Sequence, residues 1–136
     1  MKQQLNEVLM TSTFSELKSQ AIDLSPLEFM QLSNPPLLID VRSKLEYATS
    51  HAPNAVNLSL PRILFGKIPG LRNWFLPQWF RDLSKEQPLA VICLTAHRSP
   101  VAAKLLIQEG FEEVFNITGG MREWQKLNLE TNKSVS

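Results

Sequence analysis

Cys93 is the only cysteine in the chain, and it opens the run CLTAHRS (93–99). A thiolate is a nucleophile whose strength depends on the positive charge and N–H donors around it. His97 and Arg98 follow closely, and Ser99-Pro100 has the form of a helix start. The apolar run PLAVIC (88–93) delivers the cysteine to this point. Its length suits a β-strand covered on both faces. A helix beginning after Arg98 would turn unpaired N–H groups and the positive end of its dipole toward the loop. That environment stabilises anions, so it would favour a thiolate able to attack near neutral pH. It suits a cysteine that attacks an anionic substrate or carries a negative charge itself. A free cysteine at a strand end can also be only a small buried hydrophobe, and that reading stays open.

Other charged and titratable residues are candidates for the same site. Asp40 and Arg42 close the run LLIDVR (37–42). They could line the site, but pairing with charges at the sheet end is the favoured role. Glu46 stands four residues after Arg42 and is its candidate partner on a helical turn; otherwise it is a solvated charge. Arg98 could grip an anionic substrate or hold the loop through a carboxylate. For His51 a structural hydrogen bond is favoured over catalysis. His97 has only its loop position in its favour and could simply face solvent. Trp124 is expected in the core. One cysteine and two histidines do not make a Cys-rich zinc site, and no metal is expected.

The elements that must position these residues alternate. AIDL (21–24), LLIDV (37–41), AVNLSL (55–60), PLAVIC and EVFNI (113–117) read as strands. Pro26–Ser33, Ser43–Ser50, a stretch from Ser99 to about Glu109, and MREWQKL (121–127) read as helices, with Gly110 placed to cap the third. Residues 61–81 read as irregular and aromatic-rich. The order predicts an α/β domain with a mainly parallel central sheet and helices on both faces. The chain divides into an N-terminal extension (1–19) that could form a helix, a domain over 20–130, and a polar tail over 131–136.

With 136 residues, 43% hydrophobic and 20% charged, the chain is sized for one domain with one core. A net charge of +1 and the lack of any basic run argue against nucleic acid as a partner. No apolar stretch is long enough to span a bilayer. Residues 1–20 lack the apolar core of a signal peptide, so a reducing, cytoplasmic location is expected.

Four segments in order resemble the rhodanese family of sulfurtransferases. LLIDVR resembles its D-x-R strand, and EYATSHAPNAVNL (46–58) its E-[YF]-x-x-G-H-I-P-G-A-x-N segment. CLTAHRS resembles its C-x-x-G-x-R-S loop, and GGMREW (119–124) its G-G-x-x-x-W ending. The resemblance runs from about Leu24 to Leu127. It implies a small rhodanese-like α/β domain. It also implies that Cys93 takes a sulfane sulfur from thiosulfate or a persulfide, carries it as a persulfide, and passes it to a thiol or cyanide. The N–H groups of the loop formed by Leu94, Thr95, Ala96, His97, Arg98 and Ser99 would cradle that sulfur. No cofactor is implied. The expected partners are small donors and acceptors, with a sulfur-acceptor protein as an addition, and the chain is expected as a monomer or weak dimer.

Three departures from the pattern matter. Ala96 replaces a glycine, which would cost about 1 kcal/mol if φ must be positive there. Ser50 and Asn54 replace two more, and Asn tolerates the left-handed region best. The stretch from His51 to Cys93 is about ten residues longer than a minimal domain of the family needs. Two other functions compete. A catalytically weak binding or sulfur-carrier module is one. A phosphatase or arsenate reductase of related fold is the other, disfavoured because only four residues separate Cys93 from Arg98. A phosphate-sized ring of N–H donors takes one more.

The extra length falls in residues 62–83. This segment carries Trp74, Trp79, Phe65, Phe75 and Phe80, with Arg62, Lys67, Arg72 and Arg81 against Asp82 alone. Gly66, Pro69, Gly70 and Pro77 forbid one continuous helix. The favoured reading packs the aromatics on the sheet. The functional reading has Trp74, Phe75, Trp79 or Phe80 lining a wall near Cys93 or forming a docking patch. A membrane contact is disfavoured by the proline content.

Overall fold

The computed structural model describes residues 20–134, so the expected N-terminal helix lies outside the described residues. Five strands form one parallel sheet: β1 (Ile22–Leu24), β2 (Leu37–Asp40), β3 (Val56–Asn57), β4 (Leu89–Ile92) and β5 (Val114–Ile117). Their order across the sheet is β1-β5-β4-β2-β3. Among the described residues seven helices connect or flank them: α1 (Pro26–Met30), α2 (Lys44–Thr49), α3 (Leu60–Phe65), α4 (Arg72–Phe75), α5 (Gln78–Arg81), α6 (Arg98–Gln108) and α7 (Gly120–Lys126). The α/β architecture expected from the alternation is the one observed.

β4 is central, and every one of its residues is buried. Its side chains alternate between two cores, as the pleat requires. Leu89, Val91 and then Cys93 join Ile39, Leu58, Phe80 and the inner face of α6. Ala90 and Ile92 join Leu38, Phe29, Met121 and Trp124 on the other face. A continuous apolar run is what a strand packed on both sides needs.

Local chemistry sets the helix starts. Ser25 accepts the Glu28 N–H at 3.1 Å while the Glu28 carboxylate accepts the Ser25 N–H at 3.0 Å, a complete capping box for α1. Ser43 and Glu46 repeat the device at α2. α1 ends at Met30, short of the predicted Ser33, because the Pro35-Pro36 pair beyond it forces extended backbone. The edge strand β3 is also shorter than AVNLSL. The segment 61–81 is not irregular: it holds most of α3 and all of α4 and α5, each broken from the next by the prolines and glycines already noted.

Candidate active site

β4 ends at Ile92, and the next residue is Cys93, at the carboxyl end of the sheet where loops of parallel folds meet ligands. The residues after it form a tight bend before α6 begins at Arg98. The Cys93 carbonyl accepts the Met121 N–H at 2.7 Å, and the Leu94 carbonyl accepts the Arg122 N–H at 2.9 Å. The N-terminus of α7 thus ties down two successive carbonyls of the bend. In a trans peptide the N–H points opposite to the C=O. The N–H groups of Leu94 and Thr95 are therefore turned away from α7. Among the described residues, the N–H groups of Leu94, Thr95, Ala96 and His97 donate to no backbone carbonyl. Together they are an unspent set of donors beside the cysteine.

Gly120 makes that tether feasible. Its φ is +59°, and a Cβ there would strike the carbonyl groups of Cys93 and Leu94. Gly119 before it is also left-handed, at φ +74°. The sequence presents this pair only as a turn; its contact with the cysteine bend could be suspected from the two adjacent glycines but not located.

Cys93 itself is buried, with 1% exposure, and its Sγ lies 3.4 Å from the Ser99 Oγ. A hydroxyl at that place can donate to a thiolate or to a sulfur bonded to it. Ser99 is fully buried, Leu94, Thr95 and Arg98 are half-buried, and Ala96 and His97 are exposed. Ala96 is not in the left-handed region, so the cost expected for a missing glycine does not arise. Asn54 is the residue that adopts it, at φ +65°. Ser50 is extended.

Arg98 holds the loop through a carboxylate. Its Nη1 and Nη2 donate to Glu46 Oε1 and Oε2 at 2.7 and 2.9 Å. Glu46 is therefore not the partner of Arg42, as the helical spacing suggested. Arg42 turns back instead on Asp40, two residues earlier, with Nε 2.9 Å from Oδ1 and Nη2 2.7 Å from Oδ2. The pair is buried, and Arg42 Nη2 also donates to the Ser50 carbonyl at 2.6 Å. Asn57, not singled out in the sequence, donates to the carbonyls of both Asp40 and Arg42 at 2.9 Å. Val41, between the two, donates its N–H to the Ile92 carbonyl at 2.9 Å, which sets this turn beside the end of β4.

The Arg98 guanidinium, aided by the Ser43 N–H and hydroxyl and opposed by partial burial, brings the Glu46 carboxyl down to about 2. Glu46 in turn raises Arg98 further above its ordinary value, with weaker help from negative charge at Cys93 and Asp40. His51 is structural in its contacts. Its Nδ1–H donates to the Tyr47 carbonyl at 2.8 Å, and its ring stacks on Tyr47 at 3.8 Å. Its backbone pairs with Asn132 of the expected tail. Burial, then the Asp40 charge, push the Tyr47 phenol up, and its hydroxyl donates to the Ala55 carbonyl at 2.7 Å.

The polar contacts of the segment 62–83 lead away from the bend. Lys67 bonds Gln108, and Arg72 and Lys85 bond Glu109, at the end of α6 farthest from Cys93. Eleven residues of helix separate the two ends, about 16 Å at 1.5 Å per residue. Phe80 is core, whereas Trp74 is 81% exposed.

The chain is similar to known proteins. A family model described as "Rhodanese-like domain" matches residues 25–127. The thiosulfate sulfurtransferase GlpE of Vibrio cholerae is 29% identical over 108 residues, covering 79% of this chain and 90% of that protein. The rhodanese-related protein of Thermoplasma volcanium, 21% identical, superposes with a TM-score of 0.63 over 83% of this chain and 97% of that one, and shares the fold. The polysulfide-sulfur transferase homodimer of Wolinella succinogenes is 25% identical, with a TM-score of 0.61 over 93% of this chain and 89% of that one.

Proposed function

This chain belongs to the rhodanese-like family, and from that premise we propose that it is a sulfurtransferase working through a persulfide on Cys93. The observation that carries the proposal is the tethered bend: α7 holds the carbonyls of Cys93 and Leu94 and leaves the following N–H groups unspent. In the first step the Cys93 thiolate bonds to the sulfane sulfur of the donor. The donor's S–S bond breaks, and sulfite (from thiosulfate) or a thiolate (from a persulfide) leaves with the electron pair. The terminal sulfur of the new persulfide is an anion. The N–H groups of Leu94 to His97 and the Ser99 hydroxyl are the groups available to stabilise it. In the second step a thiolate or cyanide attacks that sulfur, and Cys93 departs as thiolate. Asp40, Arg42 and Glu46 act by holding the bend. Arg98 has both arms on Glu46, and Leu94 and Thr95 bring no charge, so donor choice is left to persulfides as much as to thiosulfate.

The test is intact mass after incubation with thiosulfate and, separately, glutathione persulfide. A sulfur carrier gains about 32 Da, one sulfur atom, and loses it to cyanide. Cys93→Ser gains nothing and transfers nothing. Transfer that survives in Cys93→Ser would rule the mechanism out. A second reading, a sulfur-carrier or binding module with little turnover, is favoured by the burial of Cys93. It predicts the mass gain without multiple turnovers.

A further inference from the structure

We propose that the segment 64–79, which its prolines bar from lying on lipid as one continuous helix, is a docking surface for an anionic lipid membrane through its exposed turns and short helices. It is held to the core by Leu76 within it and by Ile63 and Phe80 at its two flanks. Its outer side is also apolar: Leu64, Phe65, Ile68, Leu71, Trp74 and Trp79 are all more than a third exposed. Phe65, Ile68, Leu71 and Trp74 follow at every third residue. Each is joined to the next by a backbone bond of i→i+3 type, Ile68 N–H to Phe65 at 3.1 Å, Leu71 to Ile68 at 3.0 Å and Trp74 to Leu71 at 3.1 Å. The middle bond spans Pro69-Gly70 with Gly70 at φ +86°, so the four form an exposed apolar row along successive turns of the chain rather than one stripe of a regular helix. Phe75 packs on Phe65 at 5.4 Å and widens it. A segment apolar on both sides is covered on both sides or faces lipid.

The charge around the row identifies the occupant. Arg62, Lys67 and Arg81 belong to the same stretch, in which Asp82 is the one acid between residues 62 and 83, while Arg72 is paired with Glu109. Arg62 spends only its Nε, on the Phe75 carbonyl, leaving both Nη groups for other partners. A protruding tryptophan among Leu, Ile and Phe, in a stretch that also carries Arg and Lys, matches the headgroup and acyl boundary of an anionic bilayer. Position favours lipid over an acidic protein. The row sits at the end of α6 remote from Cys93, where a protein accepting sulfur would gain nothing by docking. A membrane bound there leaves the Cys93 end facing water.

The full chain should co-sediment with vesicles of phosphatidylcholine and phosphatidylglycerol, and far less with phosphatidylcholine alone. Binding should weaken severalfold as salt rises, because screening shortens the reach of the basic side chains. Trp74→Ala should lower partitioning about tenfold, since burying an aromatic of this size is worth at least that factor. Ile68→Ser should act in the same direction. Both variants keep the native melting curve and the same mass gain with a sulfur donor. No binding by the native chain, or undiminished binding by both variants, overturns the proposal. So does self-association of the native chain that Trp74→Ala abolishes while vesicles remain unbound, which would assign the row to a second copy. The vesicle result does not depend on whether Cys93 transfers sulfur.

Discussion

Glu46 serves two elements with one carboxylate. It closes the capping box of α2 with Ser43 and grips both arms of Arg98 at the head of α6. The two side chains are each about one-third exposed, so water and salt screen the pair, and its worth is about 0.5–1 kcal/mol rather than the larger figure a dry site would give. Its pH dependence has a definite sign. The folded carboxyl is brought down to about 2, below the ordinary value of 4.5. The stabilisation is therefore complete above about pH 4.5 and is lost as pH falls toward 2. Glu46→Gln should be less stable than the native chain by about that amount at pH 6. The gap should close as urea denaturation is repeated down to the lowest pH at which both remain folded. Sulfur transfer should fall further than stability does, because Arg98 no longer fixes the start of α6. A stability gap that is constant with pH would mean that the ion pair does not operate in solution.

At the scale of elements, the bend after β4 is shaped less by its own residues than by α7. Two N–H groups of α7 hold two carbonyls, and Gly120 is the residue that lets the helix approach. Gly120→Ala adds a methyl against backbone atoms that cannot move aside, at a positive φ. The expected cost is about 1–3 kcal/mol in thermal or urea unfolding. The mass gain at Cys93 should be lost in the molecules that still fold, because the N–H groups of Leu94 and Thr95 no longer hold their direction. Normal sulfur loading in a folded Gly120→Ala protein would separate the tether from the chemistry.

The same scale explains what could be read from the sequence. Strands such as LLIDV and PLAVIC were legible because burial on both faces demands unbroken apolar runs. The helix start at Ser25 was legible because capping residues and proline act locally; α6 starts at Arg98, one residue before the expected Ser99, whose hydroxyl meets Cys93 instead of capping the helix. Pairings were not. The rule of four residues along a helix joined Glu46 to Arg42, but Arg42 lies outside α2, at a bend where its side chain turns back on Asp40. The actual partner of Glu46 is 52 residues away and reaches it only once β2 and β4 are adjacent. The cost expected at Ala96 failed for a similar reason. Residue type suggested a left-handed backbone, but the shape of the bend is set by the tether to α7.

Across the whole molecule, α6 separates two ends with different work. Cys93 and the Arg98–Glu46 pair lie at its start, and Gln108 and Glu109 anchor the segment 62–85 at its finish. Burial raises the Glu109 carboxyl, but Arg72 and Lys85 outweigh it and hold the group below its ordinary range. The aromatics of this segment divide by depth, not by type. Phe80 fills the core against Phe111 at 5.8 Å, whereas Trp74 touches mostly solvent. Phe80→Ala should cost about 3–5 kcal/mol, the range for emptying an aromatic site in a packed core. Trp74→Ala should stay within about 0.5 kcal/mol of the native chain. In the fraction that remains folded, Trp74→Ala should load sulfur onto Cys93 from a small donor at the native rate, since Trp74 faces solvent, and Phe80→Ala should lose loading no faster than it loses stability. Urea denaturation beside single-turnover loading measured by intact mass checks both halves. A loading rate that drops in folded Trp74→Ala would mean that the two ends are coupled through α6 and that the outer row reaches the chemistry after all.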